Sequence, residues 1–171
     1  HTVPYGDRSF SIIEPYLTDQ WFMNVKPLAE KVLKLVKNNE TKFHPSSWNK
    51  TFFIWLNEIE PWCISRQIWW GHRIPIWYCP DDKAFAANSE EQANKLAMDF
   101  YKEKKPLKQE TDVLDTWFSS ALWPMSTLGW PDTKNIFFKK YFPTNVLVTG
   151  FDIIFFWVAR MMMLGMQFLN K

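Results

Sequence analysis

Cysteine, histidine and glycine are scarce in this sequence, and its net charge is small. Its 171 residues include two cysteines, three histidines and five glycines, and the formal net charge is +2. Cys63 and Cys79 form no CxxC pair and have no metal-ligand spacing with the scattered histidines. We therefore expect neither a disulfide framework nor a structural metal site, and a charge of +2 does not by itself indicate nucleic-acid binding.

The chain begins at His1, with no signal peptide and no starting methionine. The lack of a signal peptide and of cysteine pairs favours a reducing, cytoplasmic compartment. Because the chain opens in the middle of a pattern, we expect an excised piece of a larger protein.

Aromatic residues, by contrast, are abundant. They make up 18% of the chain, with 11 tryptophans and 15 phenylalanines. This load exceeds what the core of an ordinary soluble domain needs. It predicts either an aromatic-walled pocket or a surface that meets another domain.

The last quarter of the chain predicts a buried strand, a turn and a long apolar helix. Val146–Val148 is a short apolar run of β-branched character, typical of a strand covered on both faces. Gly150 permits a tight turn, and Asp152 stands where a helix cap accepts backbone N–H groups. Residues 153–169 are almost wholly apolar. Because Arg160 interrupts them, a buried helix is favoured over a membrane span or a membrane-interfacial helix.

The rest of the chain alternates helix-like and strand-like segments. The apolar spacing predicts helices over residues 27–38, 46–60 and 89–105, and strands over 9–13, 62–70 and 74–78. The last of these helices begins with a capping box, Ser89–Gln92. Residues 112–124 are expected to be extended or irregular. This alternation predicts an α/β fold with a mainly parallel sheet.

Four long motifs follow one another along the chain. They are Trp62–Gln67 (WCISRQ), Trp69–Pro75 (WWGHRIP), Asp112–Pro124 (DVLDTWFSSALWP) and Thr149–Trp157 (TGFDIIFFW). Together they resemble class I aminoacyl-tRNA synthetases of the valine, isoleucine and leucine group. In detail they are similar to the valine-specific members, and the resemblance covers nearly the whole chain.

The resemblance implies the second half of a Rossmann-type catalytic domain. Residues 1–22 would be the exit from the editing insertion, with its connecting strands, and residues 23–171 would form the catalytic half. The family activates valine with ATP and Mg to valyl-adenylate and then transfers the valyl group to tRNA(Val). Valine, ATP, tRNA(Val) and the rest of the synthetase chain are thus the implied partners, with no membrane. Adenylate formation needs positioning and charge stabilisation rather than covalent catalysis, so no catalytic residue is assigned.

The chain lacks both ATP signatures of the family, the His-Ile-Gly-His-like and the Lys-Met-Ser-Lys-Ser-like motif. We therefore expect these residues to be inactive by themselves and prone to association. Some members also bind zinc through cysteine pairs near the start and near Cys79. Gly6, Ser9, Asp81 and Asp82 stand in those regions here, so no zinc is expected.

Two tryptophans are the implied walls of the amino-acid pocket. Trp157 matches the tryptophan that flanks the side chain of the amino acid, and Trp62 matches the opposite wall. Core packing is the alternative for both. A hydrophobic pocket separates side chains that differ by one methylene by only about 1–3 kcal/mol and rejects an isosteric hydroxyl poorly. Leakage of threonine is the reason such an enzyme needs editing.

Four residues at the start of the last helix are implied to bind the adenylate. Asp152 would lie near the ribose, with Thr149 and Gly150 along the adenylate and Ile153 beside them. A helix cap is the alternative for Asp152. Isoleucyl relatives carry glutamate at the position of Thr149 and glutamine at that of Ile153, which leaves polar contacts by these two open.

Arg66 and Arg73 are candidates for contacts with tRNA phosphates, and a structural ion pair is the equal alternative. Arg66 interrupts the apolar face of its strand, and an inward arginine needs an anion or carboxylate partner. Two rival interpretations remain for the chain: an isoleucyl or leucyl synthetase fragment, and a non-catalytic aromatic-rich binding module.

Overall fold

The structure is a computed structural model that describes residues 2–169. Over that range the α-helices are α1 (Lys26–Lys37), α2 (Trp48–Asn57), α3 (Glu90–Tyr101), α4 (Thr116–Ala121), α5 (Trp123–Ser126), α6 (Ile136–Tyr141) and α7 (Ala159–Leu169). A 3₁₀ turn (Phe151–Ile153) and a π-helical segment (Ile154–Val158) lead directly into α7. We call these three pieces together the C-terminal helical run, Phe151–Leu169.

The strands are short, and every pair among the described residues is antiparallel. They are β1 (Phe22–Met23), β2 (Trp62–Cys63), β3 (Ser65–Arg66), β4 (Ile76–Tyr78), β5 (Ala84–Ala86), β6 (Lys108–Gln109) and β7 (Val113–Leu114). β1 pairs with β2, β3 pairs with β7, and β4 lies between β5 and β6. The mixture of helices and strands confirms the α/β class, but the expectation of a mainly parallel sheet is wrong for this part of the chain. α3 connects β5 to β6, but these two strands lie on opposite edges of β4 and do not pair with each other, so each hydrogen-bonded pair joins antiparallel segments.

The apolar core is divided into three clusters. The first joins α1, α2 and the C-terminal helical run around Val32, Phe52 and Met163, and the second joins α4, α5, α6 and α7 around Met125, Phe138 and Leu164. The third packs the β4 sheet on α3 through Trp77 and Ala93. Neighbours on a helix point about 100° apart, so Met163 and Leu164 face different clusters. The last helix therefore joins two of the three cores.

The helix predictions hold in position but not at every boundary. α1 and α2 fall within the predicted ranges to within a residue at the start of α1. In α3 the Ser89 side chain accepts from the Gln92 N–H at 3.2 Å, which confirms the cap. The helix ends at Tyr101 rather than residue 105, because Lys102 adopts a left-handed conformation with φ of 61°.

The extended or irregular structure predicted for residues 112–124 holds only at their start, where Val113–Leu114 forms β7; α4 and the start of α5 follow it, so the prediction is wrong for the rest. Asp115 accepts from the Trp117 N–H and so starts α4. A polar residue in a helix-cap position resembles a loop residue when the sequence is searched only for apolar periodicity. The predicted strand at 62–70 is reduced to β2 and β3, and Trp69 and Trp70 lie fully in solvent. At residues 9–13, only Ile12 forms a bridge, with Tyr5.

The predicted buried strand Val146–Val148 is also wrong. These residues form no strand and are exposed, Val148 at 90%. A strand forms only against a hydrogen-bonded neighbour, and the described residues supply none here. Gly150 has φ of −63°, which any residue adopts, so its turn needs no glycine. Asp152 makes no side-chain cap, because the helical run starts as a 3₁₀ turn.

The C-terminal helical run is long and apolar enough to cross a membrane, judged by length and composition only. The core helix of a globular protein passes the same test, so this is weak evidence. Ile154, Ala159, Met161, Met163 and Leu164 are buried against α1, α4 and the rest of the fold. One face packs as a core helix does, but only 39% of the apolar stretch is buried, so the predicted burial holds for that face alone.

Candidate functional site

A cleft of about 570 Å³ lies between α2, β2, the start of α4 and the C-terminal helical run. A volume between about 300 and 1,000 Å³ is typical of small-molecule sites. Aromatic rings and charged groups share its lining: Trp55, Glu58, Trp62, Arg66, Asp115, Trp117, Phe156 and Arg160. The predicted aromatic-walled pocket is therefore present, with a polar centre that composition did not indicate.

Asp115 is the centre of this cleft. It is 5% exposed, and its Oδ2 accepts from the indole Nε1 of Trp62 at 2.9 Å. The same oxygen lies 3.2 Å from Arg66 Nη2 and 3.6 Å from Arg160 Nη1. A buried carboxylate is costly unless it is paired and hydrogen-bonded, and here both conditions are met. The prediction that Arg66 needs a carboxylate partner is confirmed.

Arg160 is a second, largely buried charge in the cleft, with its side chain 11% exposed. Its guanidinium carbon lies 3.9 Å from the ring centre of Trp62, and 5.7 Å from that of Phe156. Arg160 Nη1 makes no hydrogen bond, because its separation from Asp115 suits an ion pair but exceeds hydrogen-bond length. Burial lowers the pKa of Arg160, Asp115 opposes that shift, and Arg66 adds to it. Ring faces and a shared carboxylate thus stabilise this arginine.

Trp157 occupies a different environment from Trp62. Its Nε1 donates to the backbone oxygen of Ser120 at 3.0 Å, and its ring meets that of Trp123 edge to face at 6.3 Å. It packs with the second core cluster, whereas Trp62 belongs to the first. The two predicted pocket walls therefore do not line one cleft in this structure, and Trp157 is absent from the cleft lining.

The predicted adenylate residues lie together at the start of the C-terminal helical run. Gly150 and Asp152 are exposed, and the Thr149 hydroxyl donates only to the backbone oxygen of Gly150 at 3.3 Å. Ile153 is half-buried beside them. A hydroxyl, an exposed carboxylate and a stretch of backbone without a Cβ are groups that suit the ribose and phosphates of a nucleotide.

Side chains that could bind a metal ion are not clustered in the described part of the chain. Residues 2–169 contain no group of three histidine, cysteine, aspartate or glutamate side chains placed to hold a metal ion. The expectation that zinc is not bound stays a prediction.

The two candidate tRNA-binding arginines are both engaged within the fold. Arg66 donates to the backbone oxygens of Cys63 and Ser65 at 2.9 and 2.8 Å, besides its pairing with Asp115. Arg73 donates to the backbone oxygen of Glu110 at 2.7 Å and has no carboxylate partner among the described residues. Arg66 has the ion pair that the structural alternative requires, Arg73 has none among the described residues, and contact of either with tRNA stays a prediction.

Comparison with known proteins indicates the same family as the four sequence motifs. A family model for tRNA synthetases class I (I, L, M and V) matches residues 10–171. The chain belongs to this family. The valine–tRNA ligase of Pelagibacter ubique is 61% identical over 169 residues, which is 99% of this chain and 19% of that enzyme. Those of Bradyrhizobium diazoefficiens and Caulobacter vibrioides are 53% and 57% identical over all of this chain, or 20% and 19% of theirs.

These findings confirm the family resemblance drawn from the four motifs. The chain spans about a fifth of the length of the relatives that it matches. What those enzymes do as whole proteins is thus carried only partly by the residues described here.

The sequence predictions missed the role of two residues in the cleft. Asp115 stood out only as one of several polar residues in a motif, and Arg160 only as an interruption of an apolar helix. The second signal was informative, since a lone charge in a buried helix requires a partner. The partner itself could not be identified, because Asp115 is remote in sequence and several other carboxylates were equally eligible.

Proposed function

We propose that this chain is the later half of the catalytic domain of a valine–tRNA ligase, which joins valine to ATP as valyl-adenylate and passes valyl to tRNA(Val). The observation that carries the proposal is 61% identity to a valine–tRNA ligase across 99% of the chain. Residues 1–22 connect the editing insertion to the catalytic domain, and residues 23–171 form the catalytic half. The enzyme works in the cytoplasm with Mg-ATP.

The aromatic cleft supports the role of Trp62 as a pocket wall. Trp62 is buried, lines a cavity of ligand size, and is held by a hydrogen bond at its edge and an arginine on its face. In this proposal its flat ring excludes longer side chains by volume. Trp157 lies on the C-terminal helical run. In this proposal it forms the opposite wall once the segments outside this chain complete the pocket.

The start of the helical run supplies the adenylate contacts in this proposal. Asp152 accepts hydroxyl protons of the ribose, while Thr149, Gly150 and Ile153 lie along the adenylate. The exposure of Gly150 and Asp152 supports this role, and Thr149 and Ile153 are half-buried beside them. Of the two arginines, Arg73 is the better candidate for a tRNA phosphate, since only backbone oxygens engage it.

The proposal is tested with a chimera. The corresponding segment of the Pelagibacter ubique valine–tRNA ligase, 19% of that enzyme, is replaced by this chain. ATP–pyrophosphate exchange is then measured with valine, threonine, isoleucine and leucine. We expect the strongest exchange with valine, weaker exchange with threonine and the least with isoleucine, because a short hydrophobic pocket rejects an added methylene better than an isosteric hydroxyl.

The matched control is the same enzyme with its own segment. A preference of the chimera for isoleucine or leucine would keep the synthetase class and overturn the valine assignment. No exchange from a chimera that is folded by circular dichroism would reject the proposed function. The 171-residue chain by itself should show no exchange.

A further inference from the structure

We propose that Trp69 and Trp70 form a stacking platform for the unpaired 3′ end of the tRNA. The inference rests on the proposed function, because it takes tRNA as the partner of this chain. It adds the part of the tRNA that this surface receives and the side chains that receive it. Both residues lie in a short loop, Gln67–Arg73, which we call the tryptophan loop.

The two large rings of the tryptophan loop are not covered by the described residues. Trp69 is fully exposed, Trp70 is 91% exposed, and Ile68 beside them is 55% exposed. Trp62 and Trp77 of the same chain are, by contrast, only 8% and 9% exposed. A large contiguous apolar patch on a protein surface usually marks a binding site, so the paired rings indicate a partner that covers them.

Both ends of the tryptophan loop are anchored to β7. Arg66, just before the loop, pairs with Val113 in the β3–β7 ladder, and Arg73 forms a bridge with the same residue. The Leu114 N–H also donates to the backbone oxygen of His72 at 2.7 Å. The loop therefore leaves β7 and returns to it, and the two rings project from between these fixed ends.

The loop also turns very close to β7. Gly71 has φ of 155°, and a Cβ at this position would lie 2.8 Å from Cγ2 of Val113, so a larger residue would push the loop away from the strand. The Gln67 amide donates to the Asp112 carboxylate at 2.7 Å. A loop that is ordered before binding loses less conformational entropy when a partner docks, which favours affinity.

The charge of the tryptophan loop fits a nucleic acid. The loop contains Arg73 and no aspartate or glutamate. Arg73 donates to the backbone oxygens of Gln109 and Glu110 and has no carboxylate partner among residues 2–169. Proteins bind single-stranded nucleic acids by stacking bases on aromatic rings and by placing cations along the backbone. The chain belongs to a family of tRNA synthetases, and the end of a tRNA that receives the amino acid is unpaired.

The tryptophan loop begins at the rim of the cleft. Arg66 lines the cleft, and an extended chain covers the distance from Arg66 to Trp69 in about 10 Å. Another wall of the same cleft is the C-terminal helical run, at whose start the proposed adenylate residues lie. A tRNA end that approaches the adenylate across this rim passes close to the two rings.

The first test measures stacking directly in the chimera. 2-Aminopurine replaces each unpaired 3′ base of tRNA(Val) in turn, and its fluorescence falls when it stacks on an aromatic ring. We expect the chimera to quench at least one of these positions, and Trp69→Ala and Trp70→Ala to restore most of the emission. Trp70→Phe keeps a flat ring and should retain part of the quenching. The matched control is Tyr16→Ala, which removes an 88% exposed ring outside the loop.

The second test compares the affinity of the chimera for complete tRNA(Val) and for tRNA(Val) without its unpaired 3′ nucleotides. We expect Trp70→Ala to weaken the binding of the complete tRNA about tenfold, as loss of one stacked base does, and to leave the binding of the shortened tRNA unchanged. Arg73→Gln should lower the slope of log affinity against log salt by about 0.7, the value for one phosphate of a single strand. Unchanged quenching in both tryptophan variants, or an equal loss of affinity for the two tRNAs, would overturn the proposal.

The other occupant to test for is a segment of the synthetase chain outside these residues. In that case Trp69→Ala and Trp70→Ala would lower the melting temperature of the chimera and leave its affinity for tRNA unchanged, which would overturn the proposal. We expect no shift in melting temperature, because the removal of an exposed side chain changes stability little.

ATP–pyrophosphate exchange separates this inference from the proposed function. Exchange does not require the 3′ end of a tRNA, so both tryptophan variants should exchange valine within about twofold of the unchanged chimera. If no form of the chimera exchanges valine but the variants lose quenching, the proposed function fails and the stacking platform stands. If the chimera exchanges valine and both variants bind complete tRNA(Val) as before, the stacking platform fails and the proposed function stands.

Discussion

Two carboxylates in this chain each hold a tryptophan by its indole N–H, but in different ways. Asp115 binds Trp62 and shares its charge with two arginines, Arg66 and Arg160. Glu110 binds Trp21 at 3.2 Å and also accepts from the Tyr78 hydroxyl at 2.9 Å. Its other oxygen accepts two backbone N–H groups, those of Thr111 and Asp112.

The difference lies in burial and in the charge of the donors. Asp115 is buried with two cations, so each charge depends on the others. Glu110 is half-buried with neutral donors only. Burial raises the pKa of Glu110, but the hydrogen bonds from Asp112, Trp21, Tyr78 and Thr111 outweigh it and lower the pKa overall. The Asp115 carboxylate is stabilised by two guanidinium groups, and the Glu110 carboxylate by hydrogen bonds from neutral groups of the fold.

The largest expected contrast is in the loss of each carboxylate. Asp115→Ala should lower the free energy of unfolding by about 3–5 kcal/mol, because it leaves the largely buried Arg160 without a carboxylate, while the more exposed Arg66 keeps its backbone acceptors. Glu110→Ala should cost about 1–3 kcal/mol, because its donors are neutral and partly reach water. Urea unfolding of the 171-residue chain, followed by circular dichroism, measures both. Equal losses would remove the distinction between the two sites.

A smaller contrast is expected for the two tryptophans. Trp62→Phe removes a buried hydrogen bond to a charged group and should cost about 1.5–3 kcal/mol. Trp21→Phe removes a similar bond at a half-exposed site and should cost about 1 kcal/mol. The same urea titration applies, and the slopes should match that of the unchanged chain. A larger loss of stability for Trp21→Phe would show that burial does not determine which of the two hydrogen bonds contributes more.

Tyr78→Phe tests whether the neutral donors of Glu110 act one by one. It should cost about 0.5–1 kcal/mol, the net value of a single exposed hydrogen bond. The pKa of Glu110 should rise towards its ordinary value, because one of the bonds that favour the carboxylate is gone. Carboxyl ¹³C titration of the two chains measures that shift. No change in the Glu110 titration would assign its low pKa to the backbone N–H groups alone.

The smallest effect is the pH dependence of stability at Glu110. A carboxyl whose pKa is lowered on folding stabilises the folded chain above its unfolded pKa, about 4.3 for glutamate. That contribution is lost as the pH falls through the lower, folded value. Glu110→Gln should therefore lose less stability than the unchanged chain between neutral and acidic pH. Parallel pH curves for the two chains would contradict the cited direction.

Local signals predicted much of this molecule correctly. Apolar spacing identified α1, α2 and α3, and Ser89 with Gln92 identified where α3 begins, because these features depend on residues within a turn or two of each other. The last helix was predicted to be buried for the same reason. The long motifs identified the family, which the comparisons confirm.

Non-local pairing was predicted less well. Val146–Val148 has the composition of a buried strand and is exposed, since no described segment pairs with it. The short strands pair antiparallel, because register depends on which segments meet and not on the composition of either one. Trp62 and Trp157 were expected on one pocket and lie in separate clusters.

The sequence by itself therefore determined the family, the α/β class and the positions of the main helices. Each of these depends on residues that are close together along the chain or on continuous sequence motifs. It also indicated that Arg66 has an anion or carboxylate partner, because an unpaired charge inside an apolar segment is costly. Only the tertiary structure decided that Arg66 and Arg160 share Asp115, 53 residues from the tryptophan it binds. That choice depends on the pairing of β3 with β7, a contact that the spacing of residues along the chain does not encode.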